Sequence, residues 1–435
     1  MVSRELTASS EALKKVSAPA STQHYTRPLA IVTTLFFMWG FLTSLNDILV
    51  PHLKAIFELS YAKATLIQFS FFSAYFLFSV PWSKVVNAIG YQKAMVTGLA
   101  GMAIGAFLFV PAAHYASFPL FLCALLVLAA GITGLQVAAN PYVVVLGKPE
   151  TSSSRLNLTQ AFNSLGTTLA PKVGGLLILA AAPLAAEEIA ALSPQALHQF
   201  RVAEAATVKL PYVFIGIALL LLAALIATSK LPKIEHAETE TGAKAGDSIW
   251  KHRHLVLGAL GIFAYVGAEV SIGSFLINYF GLPEIGALPA KTAAGYVSFY
   301  WAGAMVGRFV GAAILRRVKA GRLLAVCAVG AAALVCVSMA TTGHTAMTAI
   351  LAVGMFNSIM FPTIFSLGVA ELGPLTGTGS GLINMAIVGG AILPLIQGAI
   401  ADRIGLQSAF FVPVICYLYI LYYALVGSRP NSQRS

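Results

Sequence analysis

Polar residues are sparse along this chain, and apolar stretches of about twenty residues recur between them, each enough to cross ~30 Å of hydrocarbon at 1.5 Å per residue. Read as helices, these stretches fall near 28–50, 63–86, 94–113, 119–147, 156–183, 210–228, 255–280, 292–316, 323–342, 345–372, 378–402 and 408–426. They contain Gly and Pro but no alternating ten-residue pattern, which argues for helices with internally satisfied backbones and against barrel strands. The expected fold is an all-α membrane protein with twelve transmembrane helices in two pseudo-symmetric six-helix bundles. Composition agrees: 58% of the 435 residues are hydrophobic and 10% are charged, more apolar surface than a soluble core can hide.

An internal duplication underlies the count of twelve. The least hydrophobic interior stretch, 230–254, holds Glu235, Glu238, Glu240, Lys244 and Asp247 and reads as a cytoplasmic linker. It divides a tail (1–27) and a first bundle (28–229) from a second bundle (255–428) and a final tail (429–435). Shifting the sequence by 221 residues lays Asn140-Pro141 through Gly147 on Phe361-Pro362 through Gly368, and Asn163 on Asn384. A shift of 222 sets Asp47 against Glu269. Repeated halves of this kind place a site near the bilayer midplane, between them. Segment 184–209 is long enough to lie outside as an amphipathic piece.

The net charge of +11 raises the question of nucleic acid, and the positions of the 27 basic residues answer it. Most lie in loops and tails on one side, including Lys230, Lys233, Lys244, Lys251 and Arg253 in the linker region and Arg316, Arg317, Lys319 and Arg322 after the eighth helix. That is the positive-inside asymmetry, with both termini expected in the cytoplasm. Residues 1–27 lack the apolar core of a signal peptide and read as a cytoplasmic tail. Cys123, Cys327, Cys336 and Cys416 sit apart in apolar helices, which supports neither a disulfide framework nor a metal site.

An ionised carboxylate at bilayer depth costs at least ~2.5 kcal/mol, so each needs a reason. Asp47 and Glu269 occupy equivalent places in the two halves and read as acids that bind or release a coupling cation at a shared cavity. The competing reading has either acid capping a helix or pairing with Lys172 or Arg308. No histidine lies well inside an expected helix, so protons would move on carboxylates. Near the expected midplane stand Gln136, Asn140, Gln160, Asn163, Asn357 and Asn384, uncharged amides that offer donor and acceptor together to a polyhydroxylated ligand. Trp39 offers a ring face to C–H groups. The alternative for each amide is a helix-to-helix tie of about 0.6 kcal/mol. Gly307-Arg308-Phe309 with Arg316-Arg317, and Gly398 through Gly405 around Asp402-Arg403, read as helix-end turns. No metal-spaced cluster, nucleophile with base or phosphate loop suggests an enzyme.

Four segments carry a family resemblance: Gln136-Val137-Ala138-Ala139-Asn140-Pro141-Tyr142, Arg155 through Gly166, Tyr265-Val266-Gly267-Ala268-Glu269 and Phe361-Pro362 through Gly368. Together they resemble the fucose-galactose-glucose:cation symporter family of the major facilitator superfamily. The resemblance implies a monomeric sugar importer of the bacterial inner membrane that works by alternating access, with no cofactor beyond the coupling proton or sodium ion. It matches Asp47, in Leu45-Asn46-Asp47, to the coupling aspartate of the fucose:proton member, and draws Asn46 and Phe361 into the sugar site. That member has glutamate at Gln136, tyrosine at Phe361, asparagine at Ser44 and glutamine at Glu269. The exchange implies the glucose/galactose branch, with D-glucose, D-galactose or mannose as substrate. If sodium is the ion, Asp47 or Glu269 would hold it. An L-fucose:proton symporter and a facilitator or exporter of another small polar solute are the alternatives.

Overall fold

The structure, a computed structural model, describes residues 25–56, 61–178, 209–232 and 247–430, with scattered residues between 193 and 203; the side chains of 43, 45–68 and 171–178 lie outside that description. In the first half run α1 (Thr26–Ile56), α2 (Tyr61–Ile89), α3 (Tyr91–His114), α4 (Phe118–Val145), α5 (Ser152–Ile178) and α6 (Lys209–Thr228). The second half contains α7 (Arg253–Gly281), α8 (Ala290–Ile314), α9 (Ala320–Ala340), α10 (Gly343–Gly368), α11 (Gly373–Ile404) and α12 (Leu406–Gly427). Among the described residues, nine of these are long and apolar enough to cross a membrane. The other three, α1, α2 and α5, have 31, 29 and 27 residues.

Two of the helices are irregular along their length. α10 consists of Gly343–Asn357 and Met360–Gly368, parted by a turn at Ser358 and Ile359. Pro362 removes one hydrogen bond at this point, since it has no N–H to give the carbonyl four residues back, which belongs to Ser358. α11 passes through a short 3-10 turn, Ala386–Val388, immediately before Gly389-Gly390. Gly pairs of this kind are common sites of helix bending.

The duplication is visible in the packing. α1 packs on α5, α2 on α4, and α3 on both α4 and α6; six helices on, α7 packs on α11, α8 on α10, and α9 on both α10 and α12. The seams between the halves obey the same symmetry, with α2 against α11 matched by α8 against α5, and α4 against α11 matched by α10 against α5. In α1 against α5 the backbones nearly touch. A Cβ on Gly40 would stand 2.0 Å from the Asn163 carbonyl oxygen, and one on Gly166 would stand 2.2 Å from that of Phe37.

Polarity is turned inside out relative to a soluble protein. Leu221, Val326 and Leu395 are among the large apolar side chains exposed on the surface, while Asn140, Asn157, Asn357, Asn384 and Gln397 are fully buried. That distribution suits a lipid solvent outside and a polar pathway within.

Candidate functional site

Two amides of the first half meet directly. Gln160 on α5 donates from Nε2 to Oδ1 of Asn140 on α4, 3.3 Å away. Asn140 keeps its Nδ2 buried and without a hydrogen-bond partner. One turn earlier on α4, Gln136 donates to the Tyr75 hydroxyl of α2 at 2.6 Å. Asn163 is used differently, donating to the Phe36 carbonyl of α1 at 3.0 Å. Trp39, also on α1, is buried with its ring centroid 5.4 Å from that of Phe36. The side chains of Asn46, Asp47 and Lys172 lie outside the described residues.

In the second half, Glu269 on α7 accepts a 2.6 Å hydrogen bond from the Tyr265 hydroxyl one turn before it. The Tyr265 ring lies 6.5 Å from Phe361 of α10, and Phe361 stacks on Phe365 at 6.1 Å. Asn357 stands just before the α10 break and donates to the Tyr300 hydroxyl of α8 at 2.8 Å, leaving its Oδ1 buried and unpartnered. Asn384 on α11 donates to the Ser380 carbonyl at 2.8 Å and to its hydroxyl at 3.2 Å, and its Oδ1 is likewise left over.

The repeat-related prolines tie these residues to the seams. Pro141 has no N–H for the Val137 carbonyl, as Pro362 has none for that of Ser358. Both freed oxygens are taken by side chains. Ser380 of α11 donates to Val137 at 2.9 Å, which joins the halves beside Gln136 and Asn140. Arg308 of α8 donates from Nε to Ser358 at 3.2 Å. Its Nη1 crosses to α5, reaching the Gln160 carbonyl at 3.4 Å and the Ser164 hydroxyl.

Further cross-half bonds gather where α2, α8 and α10 end and α5 and α11 begin. The Ser153 and Ser366 hydroxyls lie 2.6 Å apart, Ser154 donates to the Ala312 carbonyl at 2.7 Å, Asn157 donates to Thr363 at 3.3 Å, and Asn87 donates to Thr378 at 2.9 Å. The halves are therefore joined at this face.

Several of these residues escaped the sequence reading. Tyr75, Tyr265 and Tyr300 hold site amides and the acid, and a tyrosine in an apolar run looks the same whether it faces a partner or a headgroup. Arg308, which the sequence offers both as part of a helix-end turn and as a partner for the acids, lies within α8, which continues to Ile314, and its guanidinium reaches the other half. The signal was present, since a lone charge within so apolar a run already demands a reason. The turn around Asp402-Arg403 does end a helix, at Gly405 with φ 86°.

Residues 31–388 match the Major Facilitator Superfamily. A glucose/galactose transporter of Brucella abortus is 52% identical over 410 residues, 94% of this chain and 96% of that protein. A putative glucose/galactose transporter of Helicobacter pylori is 45% identical over 93% of this chain and 97% of its own length. An L-fucose-proton symporter of Escherichia coli is 35% identical over 94% of both. The crystal structure of FucP in the outward conformation superposes with a TM-score of 0.85 at 35% identity, over 92% of this chain and 98% of that one. Sequence and fold agree, and this chain belongs to the Major Facilitator Superfamily and, within it, to the fucose-galactose-glucose:cation symporter family.

Proposed function

We propose that this chain imports a hexose, with D-glucose and D-galactose as the principal candidates and mannose as a third, by symport with a proton or sodium ion through alternating access. One observation carries the reading at the site: buried amides in both halves, Asn140, Asn357 and Asn384, each keep a polar atom without a hydrogen-bond partner. Leaving such an atom buried costs about 1–3 kcal/mol, and a ligand rich in hydroxyls relieves it on every face. The relatives named glucose/galactose transporters support the same substrate class. Gln136, Gln160, Asn163 and Asn46 complete the proposed sugar surroundings, with Trp39 and Phe361 as apolar walls.

Asp47 and Glu269 are the proposed ion-linked acids, and no other cofactor is invoked. We place the protein in the bacterial inner membrane as a monomeric transporter rather than an enzyme, with bundles 28–229 and 255–428 rocking about the site and linker 230–254 in the cytoplasm. With both termini cytoplasmic, the face closed by Ser153, Ser366 and their neighbours is the cytoplasmic one, and the arrangement is outward-facing.

The test is uptake of labelled D-glucose, D-galactose and L-fucose into proteoliposomes under separate proton and sodium gradients. Glucose or galactose accumulates under one gradient and fails to accumulate in Asp47→Asn. Equal filling without any gradient removes the symport proposal, and preference for fucose moves the chain to the other branch. Unchanged coupling in Glu269→Gln returns that acid to a structural role.

A further inference from the structure

Arg308 holds a permanent positive charge well inside α8, and its described hydrogen bonds go to two other helices. One goes to α10 within its own half, and the described contacts of Nη1 both lie on α5 of the opposite half. All of these acceptors are neutral. Among the described residues the acid within electrostatic range of the guanidinium is Glu269, whose carboxylate takes its hydrogen bond from Tyr265. Glu269, Tyr265, Phe361 and the Ser358 break thus form one cluster that travels with Arg308 on the second half.

A strut internal to one bundle would be served by Ser358 and Glu269 alone. A guanidinium that also grips α5 must lose those contacts whenever α5 and α8 separate. We propose that Arg308 is the latch between the halves: it holds α5 against α8 in this conformation and, when the seam opens, leaves Gln160 and Ser164 and is retained by Glu269. The latch acts through α5, whose Gln160 side chain also holds Asn140, so seating and releasing it repositions an amide of the proposed sugar site. This goes beyond the transport reading by assigning a conformational role to a residue outside the proposed sugar and ion sets.

The test uses the full chain in liposomes, with its four native cysteines replaced and Ala312→Cys as reporter. Ala312 is buried at this seam, where its carbonyl accepts from Ser154. A water-soluble maleimide reaches the reporter only as the seam opens. Arg308→Gln raises the labelling rate several-fold and abolishes uphill accumulation of labelled galactose or glucose while sugar exchange persists. Arg308→Lys, which keeps the charge but not the planar fork, gives a smaller rise. Pro362→Ala returns an N–H to the helix, takes the Ser358 carbonyl from Arg308 and raises labelling about twofold.

Should Arg308→Gln fold poorly through stranding Glu269, the Arg308→Gln/Glu269→Gln pair removes the stranded charge, restores yield and still labels faster than the parent. Labelling at the parental rate in Arg308→Gln, or in the double variant if the single one does not fold, overturns the latch. Because labelling needs no sugar, a parent protein that moves neither hexose defeats the transport reading and leaves the latch tested on its own terms.

Discussion

Asn163 and Asn357 are interchangeable on paper, each an amide in an apolar helix, but their surroundings give them different work. Asn163 spends its Nδ2 on the Phe36 carbonyl where α1 and α5 pack backbone to backbone. Asn357 is fully buried and retains a free Oδ1 after bonding Tyr300. A buried hydrogen bond to ligand is worth about 0.5–1.5 kcal/mol net, so Asn357→Leu weakens sugar binding about two- to tenfold in an equilibrium binding assay. Asn163→Leu instead lowers the thermal midpoint of the solubilised protein, with a smaller effect on affinity. Identical effects of the two substitutions on affinity would remove the distinction. This difference was not legible in the sequence, because which amide binds a neighbour depends on the helix opposite it. That the amides would be buried was legible, since nothing else explains so many of them in apolar runs.

At the scale of the helix, hydrophobic run length located all twelve elements, because lipid imposes one requirement on every spanning segment. The repeat offset of 221 also predicted which elements correspond, and the packing reproduces it pair by pair. The interruption of α10 was not anticipated: Pro141 and Pro362 are sequence equivalents, but α4 stays helical through Pro141 while α10 turns at Ser358 and Ile359. Backbone closeness is an equally specific constraint. A methyl on Gly40 would collide with the Asn163 carbonyl, which belongs to backbone and cannot swing aside. Gly40→Ala therefore separates α1 from α5, costs about 1–3 kcal/mol by the usual penalty for overpacking, and lowers the melting temperature in detergent by several degrees. A melting temperature equal to that of the parent would show that the helices accommodate the methyl.

For the whole molecule, the seam predicts how it can be stopped. Ser153 and Ser366 bring their hydroxyl oxygens within 2.6 Å across the halves, so Ser153→Cys/Ser366→Cys places two thiols within reach of a disulfide. Oxidation abolishes transport and reduction restores it, measured as uptake before and after dithiothreitol. Transport undiminished in the verified cross-linked protein would mean that this face need not open. The seam also has an energetic scale. Among the described residues its polar ties apart from Arg308 are neutral hydroxyls and amides, each contributing about 0.5–1.5 kcal/mol, so together they contribute a few kcal/mol to the closed arrangement. A captured solute moves this balance only by the difference between its affinities for the two arrangements, so a tenfold to hundredfold preference for the opposite one, about 1.4–2.7 kcal/mol, tips the machine from one side of the membrane to the other.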